Sequence, residues 1–340
     1  MSFLRPSDEP SVAIRQLSRW LEADNPEPLL IGTSGSTGKP KGVVLPRRAV
    51  LASVEASARR LGESGRWLLA LPSSYVAGVQ VIVRSLVAGH EPIVVEGLDV
   101  GRAAATDHSG TTPLFVSLVP TQLHRMVGEP EQVAALARFH TVLVGGGPID
   151  RDLRRRAEEH GINLVATYGS SETAGGCVYD GVPLDGVSVT LGDGGRIEIA
   201  GPVLFSHYDA DPALTAETVV DGRFLTSDAG RLDADGRLEV LGRIDDVVVS
   251  GGVKIPVEVV AERLRQHLLI EGAEVFGLPD PEWGQRLIAV VVGNADEPEL
   301  RDWISMVHPR SWAPREFVWA PSLPLLANGK VDRQAIQASL

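Results

Sequence analysis

The decapeptide Thr33-Ser34-Gly35-Ser36-Thr37-Gly38-Lys39-Pro40-Lys41-Gly42 lies between two apolar runs, Pro28-Leu29-Leu30-Ile31 and Val43-Val44-Leu45. Short apolar runs bounded by turn residues read as buried strands, so the decapeptide joins two strands of a sheet. Its three glycines permit tight, positive-φ backbone. Backbone N–H groups, hydroxyls and two lysines can then face the oxygens of a triphosphate, which points to ATP. The loop is not a Walker A sequence: five residues separate Gly32 from Gly38, and Pro40 rather than Ser or Thr follows Lys39. A plain Gly/Ser surface turn also fits poorly, because two lysines and a following buried strand are not linker composition.

A chain of 340 residues can bury a large core and suggests two domains, or one large and one small. No apolar run approaches the roughly 18 residues of a membrane helix, so no membrane span is expected. Met1 to Glu9 lacks the basic-then-apolar layout of a secretory signal, and the expected location is the cytoplasm. A net charge of −12 argues against a nucleic-acid surface. Anionic ligands must therefore be met locally. The only lysines are Lys39, Lys41, Lys254 and Lys330, so each is informative. The single cysteine, Cys177, excludes an internal disulfide and a multi-thiolate metal site. It reads as a small packed hydrophobe, with a place in a substrate wall as the alternative.

Along the chain, apolar residues at Val12, Ile14, Leu17, Trp20 and Leu21 mark an opening amphipathic helix over 11–22. Helices are predicted over 49–61, 79–88, 121–127 and 151–160, and strands over 67–71, 92–95, 114–119, 141–144 and 163–166. This is an α/β alternation. Between 187 and 240, short alternating runs broken by Asp193-Gly194, Asp221-Gly222 and Asp235-Gly236 predict β-hairpins of a small β subdomain. After Gly242-Arg243 the pattern becomes strand, helix (256–267), two strands (273–277, 286–292), helix (298–308) and a final loop. The stretch 101–113 reads as irregular. The predicted fold class is thus α/β: a large N-terminal α/β domain with a small β subdomain, residues 1–244, and a mobile α+β C-terminal lid, residues 245–340.

Five motifs in order carry a family resemblance: the decapeptide; Tyr168-Gly169-Ser170-Ser171-Glu172-Thr173; Thr226-Ser227-Asp228-Ala229-Gly230-Arg231; Gly242-Arg243-Ile244-Asp245-Asp246; and Asn328-Gly329-Lys330-Val331-Asp332-Arg333. The chain resembles the adenylate-forming acyl/aryl-CoA synthetases. Within that family it is most similar to the o-succinylbenzoate-CoA ligases of menaquinone biosynthesis, through Leu71-Pro72-Ser73-Ser74-Tyr75-Val76-Ala77-Gly78, Arg84 and Ser250-Gly251-Gly252. Relatives carry a substantial subdomain before the phosphate loop, so the resemblance implies an N-terminally shortened variant.

The resemblance implies ATP, Mg²⁺ and CoA as cofactor and co-substrates, with an aromatic carboxylic acid as the other partner. A homodimer is left open. Lys330 would be the adenylation lysine. Glu172 and Thr33 would act catalytically and hold Mg²⁺, a hard cation that prefers oxygen. Ser34, Gly35, Ser36, Thr37, Gly38, Lys39 and Lys41 would bind the phosphates. Gly146, Gly147, Tyr168, Gly169, Ser171 and Thr173 would take the base and its surroundings, with Tyr168 stacked on adenine. Asp228 would bind the ribose hydroxyls with help from Arg243. Gly251 and Gly252 would line the pantetheine tunnel, and Asp245 would be the hinge of the lid. Ser227 and Tyr75 depart from the family's usual glycine and histidine.

Ser74, Tyr75, Gly78 and Arg84 would contact the acid. Arg84 is the substrate clue, because it interrupts an apolar run in which an unpaired guanidinium is costly to bury. A carboxylate partner satisfies it; snorkelling to solvent is the alternative. Two other readings stand beside the ligase: another short acyl/aryl-CoA ligase or carrier-protein-loading adenylation enzyme, and a non-catalytic nucleotide-binding sensor. No metal-spaced Cys/His cluster, HExxH or GxSxG occurs.

Overall fold

The computed structural model describes residues 2–33, 41–95, 99–105, 111–326 and 329–340. Its largest layer is a six-stranded sheet. Arg66–Leu68, Leu114–Leu118, Thr141–Gly145 and Leu164–Ser170 run parallel, and Gly175–Tyr179 and Val182–Pro183 complete it antiparallel. Strand side chains alternate between faces. Trp67, Phe115 and Leu143 enter one core with the helices Arg47–Leu61 and Val76–Val87. Leu68, Val116, Val142 and Val144 enter a second core with Leu123 of Pro120–Val127, Leu136 of Pro130–Leu136 and Leu153 of Arg151–Glu159. Such two-sided burial is why these strands read as continuous apolar runs in the sequence.

The strands flanking the phosphate loop pair antiparallel, Leu29–Thr33 with Lys41–Leu45, and Thr33 stands opposite Lys41. A two-residue strand, His207–Tyr208, adds to the far side of Lys41–Leu45. The small β layer consists of Ser188–Leu191, Arg196–Ala200, Val219–Val220, Arg223–Leu232 and Leu238–Arg243. Each predicted Asp-Gly pair falls between two of its strands. Cys177 is fully buried among Val178, Ile197, Ile199, Val203 and Leu238, and burial pushes its thiol pKa up to about 12.

The C-terminal part has its own five-stranded sheet and its own core, built on Val257–Arg265, Glu297–Ser305 and the strands Ile270–Asp280 and Gly284–Gly293. The separate core matches the predicted change of pattern to an α+β part after Gly242-Arg243. The 3-10 turn Ile244–Asp246 joins it to the strand Leu238–Arg243.

Several expectations are corrected. The strand predicted over 92–95 reduces to one bridge between Leu68 and Ile93. The irregular stretch 101–113 contains part of the helix Val100–Ala105, and the final loop ends in the helix Arg333–Ala338. The helix Pro212–Thr218 was not predicted, and the one strand predicted between Arg243 and Pro256 is a hairpin of two, Val247–Ser250 with Val253–Pro256.

Candidate active site

One cluster forms where the six-stranded sheet, the small β layer and the lid meet. Asp228, on Arg223–Leu232, accepts a 2.7 Å hydrogen bond from the Tyr168 hydroxyl. Its backbone N–H donates to the Thr226 hydroxyl at 3.1 Å, which in turn donates to the carbonyl of Ile197 at 2.8 Å. Arg243 faces Asp228 across the paired strands. Desolvation raises the Asp228 pKa; the Tyr168 hydrogen bond and the Arg243 charge oppose that shift, and the charges of Glu172 and Asp246 add to it. The same burial and the adjacent carboxylate raise the Tyr168 phenol.

Glu172 lies in the 3-10 turn Ser171–Thr173, which packs against Lys41–Leu45. Its Oε1 accepts a 2.8 Å hydrogen bond from the Tyr208 hydroxyl, and Lys41 Nζ stands 5.7 Å from the centre of the Tyr208 ring. The strand pairing therefore gathers Lys41, Tyr208 and Glu172 at the exit of the phosphate loop. The Thr33 hydroxyl points to the Lys41 carbonyl at 3.5 Å, across the mouth of the same loop. Ser34, Gly35, Ser36, Thr37, Gly38 and Lys39 lie outside the described residues.

Lys330 reaches this cluster from the lid. A β-carbon on Gly146 would stand 2.8 Å from Lys330 Cε, and Gly146 has φ +82°. The positive φ favours glycine, and a side chain there would displace the end of Lys330. Gly147 is less confined, since a β-carbon there would stand 3.7 Å from the Pro120 ring. The Thr121 hydroxyl donates a 2.8 Å hydrogen bond to the Gly329 carbonyl, pinning the lysine loop to the large domain. Lys330 keeps solvent exposure as a residue, yet desolvation lowers its ammonium pKa; the Asp228 charge acts in the opposite direction.

Three predicted contact residues turn out to have local tasks. Thr173 is fully buried and its hydroxyl is bonded within its own turn, to Ser170 and Gly175, so it shapes the Glu172 turn from behind. A β-carbon on Gly169 would fall 2.1 Å from the Gly175 carbonyl oxygen, and one on Gly78 would fall 2.1 Å from that of Pro72. Both are glycine because backbone passes there. Ser171 stands in the Glu172 turn, half-buried.

On the acid side, half-buried Tyr75 caps the helix Val76–Val87, and the Ser74 hydroxyl is bonded to the Asp8 carboxylate. Arg84, in the last turn of that helix, is only 7% exposed, which removes the snorkelling alternative. Its guanidinium lies 5.0 Å from the Trp67 ring centre and donates to the Tyr179 hydroxyl at 3.1 Å. Among the described residues it has no Asp or Glu in ion-pair contact, and its Nε is buried without a partner.

Gly251 and Gly252 form the turn of the lid hairpin, with φ +58° and +80°, and Gly251 packs on the Trp283 ring. Asp245 occupies the 3-10 turn between the large domain and the lid. Reasoning from sequence missed Tyr208, Thr226, Thr121 and Tyr179. Thr226 lay within a quoted motif; the other three offered no local pattern, because their partners are distant in the chain.

The comparisons agree with this architecture. The AMP-binding enzyme model matches residues 15–208, and the AMP-binding enzyme C-terminal domain matches residues 260–330. The chain belongs to the AMP-binding enzyme family. A probable 2-succinylbenzoate–CoA ligase of Mycobacterium tuberculosis is 41% identical over 326 residues, covering 93% of this chain and 85% of the relative. The 2-succinylbenzoate–CoA ligase of Listeria monocytogenes is 30% identical over 322 residues, covering 90% and 68%. Among solved structures, the o-succinylbenzoate CoA synthetase of Bacillus subtilis in complex with its acyl-adenylate superimposes with a TM-score of 0.80 at 27% identity, covering 91% of this chain and 68% of that one. An amide bond synthetase of Marinactinospora thermotolerans, at 24% identity and a TM-score of 0.82, shares the fold.

Proposed function

We propose that this chain ligates 2-succinylbenzoate to CoA at the expense of ATP, through an acyl-adenylate, releasing AMP and pyrophosphate. The carboxylate of the succinyl arm attacks the α-phosphate and displaces pyrophosphate; the CoA thiol then attacks the acyl carbon and displaces AMP. Both steps build negative charge on bound anions, so positioned cations and donors suffice without a protein nucleophile. Lys330 meets the α-phosphate and the attacking carboxylate. Asp228, fixed by Tyr168 and Thr226, accepts from the ribose hydroxyls. Gly146 and Gly147 let the nucleotide lie against bare backbone, and Lys41 serves the phosphates together with Ser34, Gly35, Ser36, Thr37, Gly38 and Lys39.

Glu172 fits a magnesium site: Tyr208 bonds one of its carboxylate oxygens, which orients the group, and Mg²⁺ is held by one or two carboxylates plus substrate phosphates. The ion, when bound, neutralises phosphate charge. Thr33 at the mouth of the loop is its second candidate ligand. For the thioester step, rotation of residues 245–340 about Asp245 would exchange the Lys330 loop for the Gly251-Gly252 turn, where close backbone approach suits the pantetheine arm.

The observation that carries the substrate choice is Arg84, a buried cation with no carboxylate partner among the described residues. An acid with a second carboxylate supplies one. Tyr75 and Ser74, at the start of the same helix, contribute to the wall. A second reading, a ligase for an acid with one carboxylate, draws on a relative named feruloyl-CoA synthase, 31% identical over 337 residues. Pyrophosphate release over a panel of aryl and acyl acids with CoA separates the two. Turnover of a monocarboxylic acid with 2-succinylbenzoate inert would remove the proposed substrate, and no pyrophosphate exchange with any acid would leave a nucleotide-binding sensor.

A further inference from the structure

Arg84 does not stand alone. Its Nη2 donates to the Tyr179 hydroxyl at 3.1 Å, and that oxygen lies 2.8 Å from the Ser57 hydroxyl. The three residues come from three elements, Val76–Val87, Gly175–Tyr179 and Arg47–Leu61, and all three side chains are buried. A guanidinium has five donors and no acceptor. Tyr179 must therefore accept from Arg84, and its oxygen shares a second hydrogen bond with Ser57. Trp67 covers the guanidinium from another side. The clamp uses one donor, and Nε is left without a partner.

Unpartnered buried polar atoms accompany the arginine. Gln80, one turn earlier on the same helix, binds the Ala174 carbonyl through its amide nitrogen at 2.6 Å, while its Oε1 has no partner; Ser53, one turn before Ser57, has an unpartnered hydroxyl. Buried polar groups are nearly always satisfied, so a set of them beside a clamped cation points to a polar ligand. The clamp also determines how an anion is met, because bidentate carboxylate recognition needs the guanidinium plane held in one orientation.

We infer that Tyr179, held by Ser57, is a positioning residue that presents Arg84 to the aryl carboxylate of the substrate and so sets the preference for a dicarboxylic acid. This rests on the reading of Arg84 given above. Tyr179 itself does not touch the reacting atoms.

The test compares 2-succinylbenzoate with 4-oxo-4-phenylbutanoate, which lacks the aryl carboxylate, in the full chain carrying Tyr179→Phe, Ser57→Ala or Arg84→Ala. Tyr179→Phe should raise KM for the diacid by about 10-fold, the scale of one charge-assisted hydrogen bond, with kcat nearly unchanged. Its kcat/KM for the analogue should stay within about 2-fold, and in an Arg84→Ala background it should add nothing. Ser57→Ala, which removes no ring from the core, should move the diacid KM in the same direction by about 3-fold. Discrimination lost in Arg84→Ala but intact in Tyr179→Phe overturns the positioning role alone. Equal losses for both acids in Tyr179→Phe, with a lowered Tm, make the clamp merely structural and overturn it too. If Arg84→Ala lowers kcat/KM equally for both acids, so that the preference for the diacid persists, the substrate reading fails and the positioning role fails with it.

Discussion

Lys330 lies against the backbone of Gly146, with Cε 2.8 Å from where a β-carbon on that glycine would stand. The lysine's surroundings come from both parts of the chain, which fits the proposed role of Lys330 in attack on the α-phosphate. Lys330→Ala should lower acyl-adenylate formation by on the order of 10²–10³, the usual cost of one preorganised electrostatic contact. Thioester formation from supplied acyl-adenylate should change little. Gly146→Ala should impair the same half-reaction, because a side chain at φ +82° both strains the turn and displaces the lysine. Pyrophosphate exchange and thioester release, measured separately, check this. Equal loss in both half-reactions would count against it.

The pH profile of the first half-reaction follows from the same contact. Desolvation lowers the Lys330 pKa, so the protonated form is lost at a lower pH than for an ordinary lysine near about 10.4. Only the protonated form neutralises the phosphate. Adenylation should fall as pH rises through that lowered value, while the thioester step lacks this basic limb. Lys330→Arg, whose side chain stays protonated, should remove the limb even if the rate is low. A limb that survives the substitution would belong to another group.

Much of this site was legible because its parts are local. The buried strands around the phosphate loop, the Asp-Gly turns and the lid's separate pattern all repeat within a few residues. Other features have no such imprint. The strand His207–Tyr208 is two residues long and exists because Lys41–Leu45 offers it an edge, so the Tyr208 bond to Glu172 could not be read from either segment. Gly78 and Gly169 look like ligand-contacting glycines in a motif; only the folded backbone shows the carbonyls of Pro72 and Gly175 against them. Arg84 was visible as an anomaly in an apolar run. Its clamp was not, since Tyr179 and Ser57 lie 95 and 27 residues away.

Asp245 tests whether the C-terminal part turns between two poses, as proposed above. Proline there fixes φ and restricts the residue before it, so the backbone rotation needed to turn the lid is blocked. Asp245→Pro should keep acyl-adenylate formation and lose thioester formation, the inverse of Lys330→Ala. Acyl-adenylate should accumulate on the enzyme, detectable by quenching a single turnover and separating the nucleotides. Overall turnover equal to that of the unmodified chain would place the hinge elsewhere.

Arg333, three residues beyond Lys330, anchors the lysine loop within the lid. It pairs with Glu274, donates to the Val275 carbonyl at 3.1 Å, stacks on Phe276 and lies 3.9 Å from Asp246 beside the hinge. Burial raises the Glu274 pKa, and the Arg333 charge is the largest influence opposing that rise. Removing the arginine should raise it further. A carboxyl whose folded pKa lies above its unfolded value binds protons more tightly when folded, so stability falls as pH rises from the unfolded value towards the folded one. Arg333→Met should therefore be nearly harmless near about pH 4, where Glu274 is protonated in both states, and should destabilise progressively towards neutrality. The loss at neutral pH should be about 2 kcal/mol, less than for a fully buried pair because Arg333 is partly exposed and Arg265 remains 3.7 Å from Glu274. Denaturant unfolding at several pH values measures it, and in a Glu274→Gln background the pH-dependent part of the loss should vanish. A loss of equal size at every pH would mean that Arg333 stabilises the lid through packing on Phe276 and not through Glu274.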